Sequence, residues 1–197
     1  MFSRWCRGVR FKKEAAKSIE EIFITANGGK LLELLKSIGY KYEPYRVFSK
    51  KELEMATKFY DQHRIFYEDA SYILYRGFYD GRNISVKKFK ENNYMGVDNF
   101  TGSVVDFVIS LHIRNHKNVM KLLGCCLEIK IPILVYEYSS NKNLYDILHK
   151  ENDIQGHLFS KNLHSALSRE SKLRIATEIA DAVTYMHTTT STPFIRT

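Results

Sequence analysis

The chain has 197 residues, enough for one domain with an extension, and its 44% hydrophobic and 26% charged residues exclude a generally disordered polypeptide. A formal net charge of +8 favours acidic partners, although a solvated basic surface gives the same number. Three cysteines, two of them adjacent (Cys125 and Cys126), argue against a disulfide framework, and no metal-ligand spacing is present.

Residues 1–17 carry Arg4, Arg7, Arg10, Lys12, Lys13 and Lys17 around Trp5, Cys6 and Phe11, which predicts a flexible or surface-bound basic tail. Helical spacing of Ile19, Ile22 and Phe23 follows. Asn27-Gly28-Gly29 is expected to break the chain, since these residues tolerate left-handed backbone. Leu31, Leu32, Leu34, Leu35 and Ile38 then form a short apolar helix, either packed on its own domain or offered to a partner.

Ser49 and Glu52 make a capping box, with Phe48 and Leu53 as its hydrophobic staple, and the helix is expected to reach about Phe59. Residues 63–90 read as strands, with Asp80-Gly81 as a two-residue hairpin turn. Residues 103–113 are predicted helical, and Val119–Leu123 and Ile133–Tyr138 are further strands. Residues 150–166 read as a polar loop. A long helix begins at Ser168, with Leu173, Ile179, Val183 and Met186 on one stripe. No apolar run approaches the roughly 18–20 residues that span a bilayer.

Several segments resemble plant receptor-like kinases. FSKKELEMAT (48–57) is similar to the segment that precedes their kinase domains, and HKNVMKLLGCCLE (116–128) with LVYEY (134–138) resembles wall-associated kinases and their relatives. NGGKLLE (27–33) narrows the likeness to plant pseudokinases that serve as adaptors or decoys for immune receptors, the ZRK group. The resemblance covers about residues 25–197. It implies an α+β fold: a kinase-like small lobe with a five-stranded antiparallel sheet and one main helix, flanking helices and an incomplete large lobe. The implied divisions are a basic tail and helix over 1–24, a helical extension over 25–60, the small lobe over 61–140 and the start of the large lobe over 141–197.

The likeness also locates lost chemistry. The three positions of the phosphate-covering glycine motif hold Tyr67, Asp69 and Tyr72, and no glycine occurs over 62–76. Ile84-Ser-Val-Lys87 matches the strand that carries the phosphate-anchoring lysine, so Lys87 is its counterpart. No glutamate lies between Glu91 and Glu128, which leaves Asp106, one methylene shorter, as a weak partner. Tyr136, Glu137 and Tyr138 form the hinge-like strand exit that could still hold adenine. Where active relatives read Pro-x-x-His-Arg-Asp, this sequence reads Pro193-Phe-Ile-Arg-Thr197, so no catalytic base is expected.

The expectation is a catalytically inactive adaptor or decoy in plant immune signalling, without cofactor or metal and with at most weak ATP binding. Its expected partners are an NLR-type immune receptor and other receptor-like cytoplasmic kinases, docked through Leu31, Leu32, Leu34 and Leu35; no specific nucleic-acid motif is present. A residual ATP-binding kinase fragment and a truncated product without selected function are the competing readings. Phe2 excludes N-myristoylation of the chain as given, while Cys6 among arginines is a candidate for lipidation. A cytoplasmic protein with a minor, peripheral plasma-membrane pool is expected.

Overall fold

The computed structural model describes residues 3–37, 45–91, 99–139, 144 and 168–189, with residues 3–18 as backbone only. Its elements are α1 (Ser3–Ser37), β1 (Arg46–Val47), α2 (Lys50–Ala56), a 3-10 turn (Gln62–Arg64), β2 (Ile65–Glu68), β3 (Tyr72–Tyr79), β4 (Arg82–Phe89), α3 (Asn99–Ile113), β5 (Leu122–Cys126), β6 (Ile133–Glu137) and α4 (Arg169–Thr189). The polar loop expected at 150–166 lies outside the described residues.

The sheet has six strands in the order β1-β5-β6-β4-β3-β2. It is therefore not the five-stranded antiparallel sheet of the sequence reading. The added strand, β1, pairs parallel with β5, Arg46 opposite Gly124 and Val47 opposite Cys125. Gly124 permits this approach, because a Cβ there would stand 1.9 Å from the Arg46 carbonyl oxygen. β5 begins at Leu122 rather than Val119. The β3–β4 turn is as expected: Asp80 and Gly81 have φ of 50° and 76°, both left-handed.

Alternation along the strands divides the interior into two cores. Ile133 and Val135 of β6 face α2 with Phe48, Leu53, Tyr75, Ile84 and Val86. Leu134 and Tyr136 face α1 and α3 with Leu31, Val104, Phe107 and Leu111.

α2 starts as the sequence predicts. Ser49 Oγ accepts from the Glu52 amide at 3.2 Å, and the Glu52 carboxylate accepts from the Ser49 amide at 2.8 Å. The helix stops at Ala56, three residues before its expected end. Lys58, Phe59 and Tyr60 are all left-handed, with φ of 53°, 58° and 58°. Such a run costs roughly 1–2 kcal/mol per residue. It is held by Thr57, whose hydroxyl donates to the Leu53 carbonyl and accepts from the Tyr60 amide.

α1 differs most from expectation. It passes through residues 3–17, read as a tail, and through Asn27-Gly28-Gly29, read as a break. Two glycines inside a helix cost roughly 1 kcal/mol each relative to alanine. Asn27 offsets this by tying the helix to the turn between β5 and β6. Its buried side-chain amide donates to the Leu127 carbonyl at 3.0 Å and the Ile129 carbonyl at 2.8 Å. Leu31 and Leu35 add burial worth roughly 1.5–3 kcal/mol each.

A candidate nucleotide site closed by its own side chains

The site forms where β2, β3 and β4 meet α3. Tyr72 pairs with Phe89 and Leu74 with Lys87 across the β3–β4 ladder, so these four side chains share one face. α3 packs on that face through Val104, Phe107 and Val108 and presents Asp106 to it. Lys87 Nζ lies 2.7 Å from Asp106 Oδ2, with both side chains mostly shielded from water. The weak pair expected from the shorter aspartate is thus replaced by a close one, because the packing of α3 supplies the missing reach.

The ammonium is also covered by rings. It stands 3.9 Å from the Tyr72 ring centroid and 5.1 Å from that of Phe89. Contacts of this kind are worth about 0.5–2 kcal/mol. Tyr67 stacks on Tyr72 with centroids 5.6 Å apart. Burial, and then the charge of Asp69, push the Tyr72 hydroxyl pKa upward, so it stays neutral.

Asp69 closes the turn between β2 and β3. Its Oδ1 accepts from the Ser71 amide at 2.7 Å and the Tyr72 amide at 2.9 Å, while its own amide donates to the Tyr72 carbonyl. This is the self-bonding turn that aspartate favours. Burial opposes its charge, but these amides, the Tyr67 hydroxyl and the charge of Lys87 hold the carboxyl below its ordinary pKa. A permanent carboxylate therefore occupies backbone donors of the kind that a glycine loop turns toward phosphate.

The hinge residues are used internally. Tyr136 is buried with its hydroxyl 3.0 Å from Ser110 Oγ, and burial raises its pKa. Glu137 bonds Lys121 by both backbone and side chain. Tyr138 sits edge-on to Phe66 and beneath the Arg76 guanidinium.

The expected docking face is largely internal as well. Leu31 and Leu35 are buried against α3 and β5, Leu34 is half-buried, and only Leu32, 53% exposed, points outward. That patch is thus a domain contact rather than a free surface. The Cys6 side chain lies outside the described residues. Sequence reasoning missed Phe89 and Ser110. Phe89 was accessible from the two-residue strand period, being two positions beyond Lys87; Ser110 had no local signal. Among the described residues no cluster of His, Cys, Asp and Glu could hold a metal ion, and no described helix is long and apolar enough to cross a membrane.

This arrangement of sheet, helix and lysine–carboxylate pair is that of a protein-kinase small lobe. A family model described as protein tyrosine and serine/threonine kinase matches residues 74–192, more than half of the chain, and the chain belongs to that family. It is similar to wall-associated receptor kinase 3 of Arabidopsis thaliana, 33% identical over 185 residues, covering 93% of this chain and 23% of the relative. Wall-associated receptor kinase-like 10 of the same plant is 39% identical over 149 residues, 75% of this chain and 18% of the relative. The chain spans less than half the length of the curated relatives it matches.

Two solved structures share the fold. One is an apo pseudokinase, with a TM-score of 0.54 and 24% identity over 76% of this chain and 50% of that one. The other is the pseudokinase DRIK1 (drought responsive inactive kinase 1) bound to ENMD-2076, with a TM-score of 0.55 and 25% identity over 75% of this chain and 53% of that one.

Proposed function

We propose that this lobe works as a binding module that does not transfer phosphate. One observation carries the reading: the groups that would meet phosphate already have intramolecular partners. Asp69 holds the Ser71 and Tyr72 amides, and Tyr72 and Asp106 enclose Lys87. An incoming triphosphate would meet a fixed carboxylate, with a repulsion of roughly 1–4 kcal/mol per charge pair near a surface. The solved pseudokinase DRIK1, 25% identical and similar in fold, supports the same reading. In this proposal the chain is an adaptor or decoy in plant immune signalling that engages an NLR-type receptor or another receptor-like kinase. It acts in the cytoplasm, with a membrane pool attached through acylated Cys6.

The test is a thermal-shift titration of the purified chain with Mg-ATP, run beside a phosphotransfer assay. The expected result is no shift at millimolar nucleotide and no transfer. A saturable shift accompanied by transfer refutes the proposal.

A second reading is favoured by Ser85, whose buried hydroxyl has no hydrogen-bond partner among the described residues and lies on the Lys87 face of β4. A flat heterocycle without phosphates would satisfy it while leaving Asp69 and Tyr72 in place. The similar pseudokinase DRIK1 was solved bound to ENMD-2076. Saturable binding of adenine, undiminished when ATP fails to bind, would separate this reading from the first.

A further inference from the structure

A second surface lies at the opposite end of β3 from Tyr72. There Arg64, Phe66, Arg76 and Phe78 line an open notch with Lys58 and Asp61 on its rim. Three properties distinguish it from a merely solvated surface.

The first is unbalanced charge. No carboxylate among the described residues lies within ion-pairing distance of Lys58, Arg64 or Arg76. Asp61, the one acid lining the notch, is engaged in capping the 3-10 turn, accepting from the His63 amide at 2.9 Å. The arginines are positioned rather than free: Arg64 donates to the Arg76 carbonyl at 3.3 Å, and the Arg76 guanidinium rests 5.0 Å from the Tyr138 ring centroid. The second is apolar exposure beside that charge, with Phe66 at 41% and Phe78 at 56%. The third is access to backbone. β2 is the last strand of the sheet, so its outer edge meets no further described strand, and an extended chain can lie along it.

From these we infer that the notch is a docking site for an extended acidic segment of a partner protein, whose Asp or Glu side chains pair with Arg64 and Arg76 and whose apolar side chain sits between Phe66 and Phe78. Planar guanidiniums suit carboxylates because they pair with them two bonds at a time. Exposed aromatic rings beside them supply the apolar anchor that a charged rim lacks. The left-handed run at Lys58–Tyr60 brings Lys58 to the rim and leaves Phe59 76% exposed beside α2. The inference rests on the binding-module reading, and the notch adjoins the nucleotide site through Phe66 and Arg76, which both pack on the hinge residue Tyr138.

The experiment is fluorescence anisotropy of the purified chain with short labelled peptides that alternate Glu and Leu, Gln and Leu, or phosphoserine and Leu, and with a labelled single-stranded oligonucleotide. The expected result is saturable, salt-sensitive binding of the Glu peptide, weakened about tenfold or more by Arg64→Glu with Arg76→Glu. Phe78→Ala weakens it less. A control of equal charge change, Lys36→Glu with Lys172→Glu on α1 and α4, leaves it unchanged. The inference is overturned by equal affinity for the Gln peptide, by equal loss in the control, or by no binding at all. Tighter binding of the phosphoserine peptide reassigns the anion, and tighter binding of the oligonucleotide reassigns the partner; either overturns the acidic-segment assignment. Circular dichroism of each variant checks folding. A null result here alongside absent ATP binding sinks only the notch, whereas peptide binding alongside ATP binding with phosphate transfer sinks only the proposed function.

Discussion

Lys87 stands between two regions of unlike character. On its α3 side, Asp106, Phe107 and Val108 belong to a helix packed into the main core, and the lysine–carboxylate pair is close and shielded. On its β2–β3 side, Tyr67 and Tyr72 flank, and Asp69 closes, a short turn whose hydrogen bonds are local, and these three side chains lie outside both cores. The first region is tied to folding, because displacing α3 would open the apolar contacts beneath it. The second is not, so it can exchange the permissive residues of a phosphate cradle for bulky and acidic ones while the sheet stays intact. On the proposed reading, the fold is kept while the groups that would meet phosphate are engaged from within.

That contrast makes the framework sensitive and the turn tolerant. The largest expected effect is in the framework: Leu53→Ala, which empties a fully buried position on the inner face of α2, should destabilise the chain by about 2–5 kcal/mol in denaturant unfolding. Asn27→Ala should cost about 1–3 kcal/mol by leaving the Leu127 and Ile129 carbonyls without their donor. A loss confined to hydrogen-exchange protection of α1 would show that the helix is tied less firmly than its contacts imply.

A smaller effect depends on pH. The Ser49 amide, then the Tyr79 hydroxyl and Arg46, hold Glu52 at about 2 against an ordinary 4.5. Because the folded value is depressed, this contribution is present above about 4.5 and is lost as pH falls toward 2. Unfolding midpoints measured across that window should fall less steeply in Glu52→Gln than in the native chain. The smallest effect belongs to the turn: Tyr67→Gly should lose its ring contact with Tyr72 and its long hydroxyl bond to Asp69, about 1 kcal/mol. A loss as large as that of Leu53→Ala would erase the distinction between the two regions.

Local signals carried much of this into the sequence. The Ser49–Glu52 box, the Asp80-Gly81 turn and the strand that bears Lys87 depend on neighbours a few residues away, and each stands where its pattern placed it. The apolar stripe of α4 was legible in the same way: Leu173, Ile179 and Val183 stand at helical spacing and are partly exposed, with Met186 half-buried. What was not legible depends on distant partners. Asn27 reads as a helix breaker until the carbonyls of Leu127 and Ile129 are brought to it, and β1 has no meaning without Gly124. Leu31 and Leu35 looked available for a partner because nothing nearby in sequence announces α3. At the site, the residues at the glycine positions were readable, but their destinations were not. That Asp69 would bond its own turn and Tyr72 would cover Lys87 follows from the β3–β4 register and the fold of the turn.

The central claim is that three turn side chains, rather than any defect of the framework, keep nucleotide out. Isothermal titration of Mg-ATP into the native chain and into the combined Tyr67→Gly, Asp69→Gly, Tyr72→Gly variant tests it directly. The predicted result is no measurable heat of binding for the native chain and saturable binding for the variant, abolished again by Lys87→Met. Saturable binding by the native chain, with no gain on restoring the glycines, would contradict the claim.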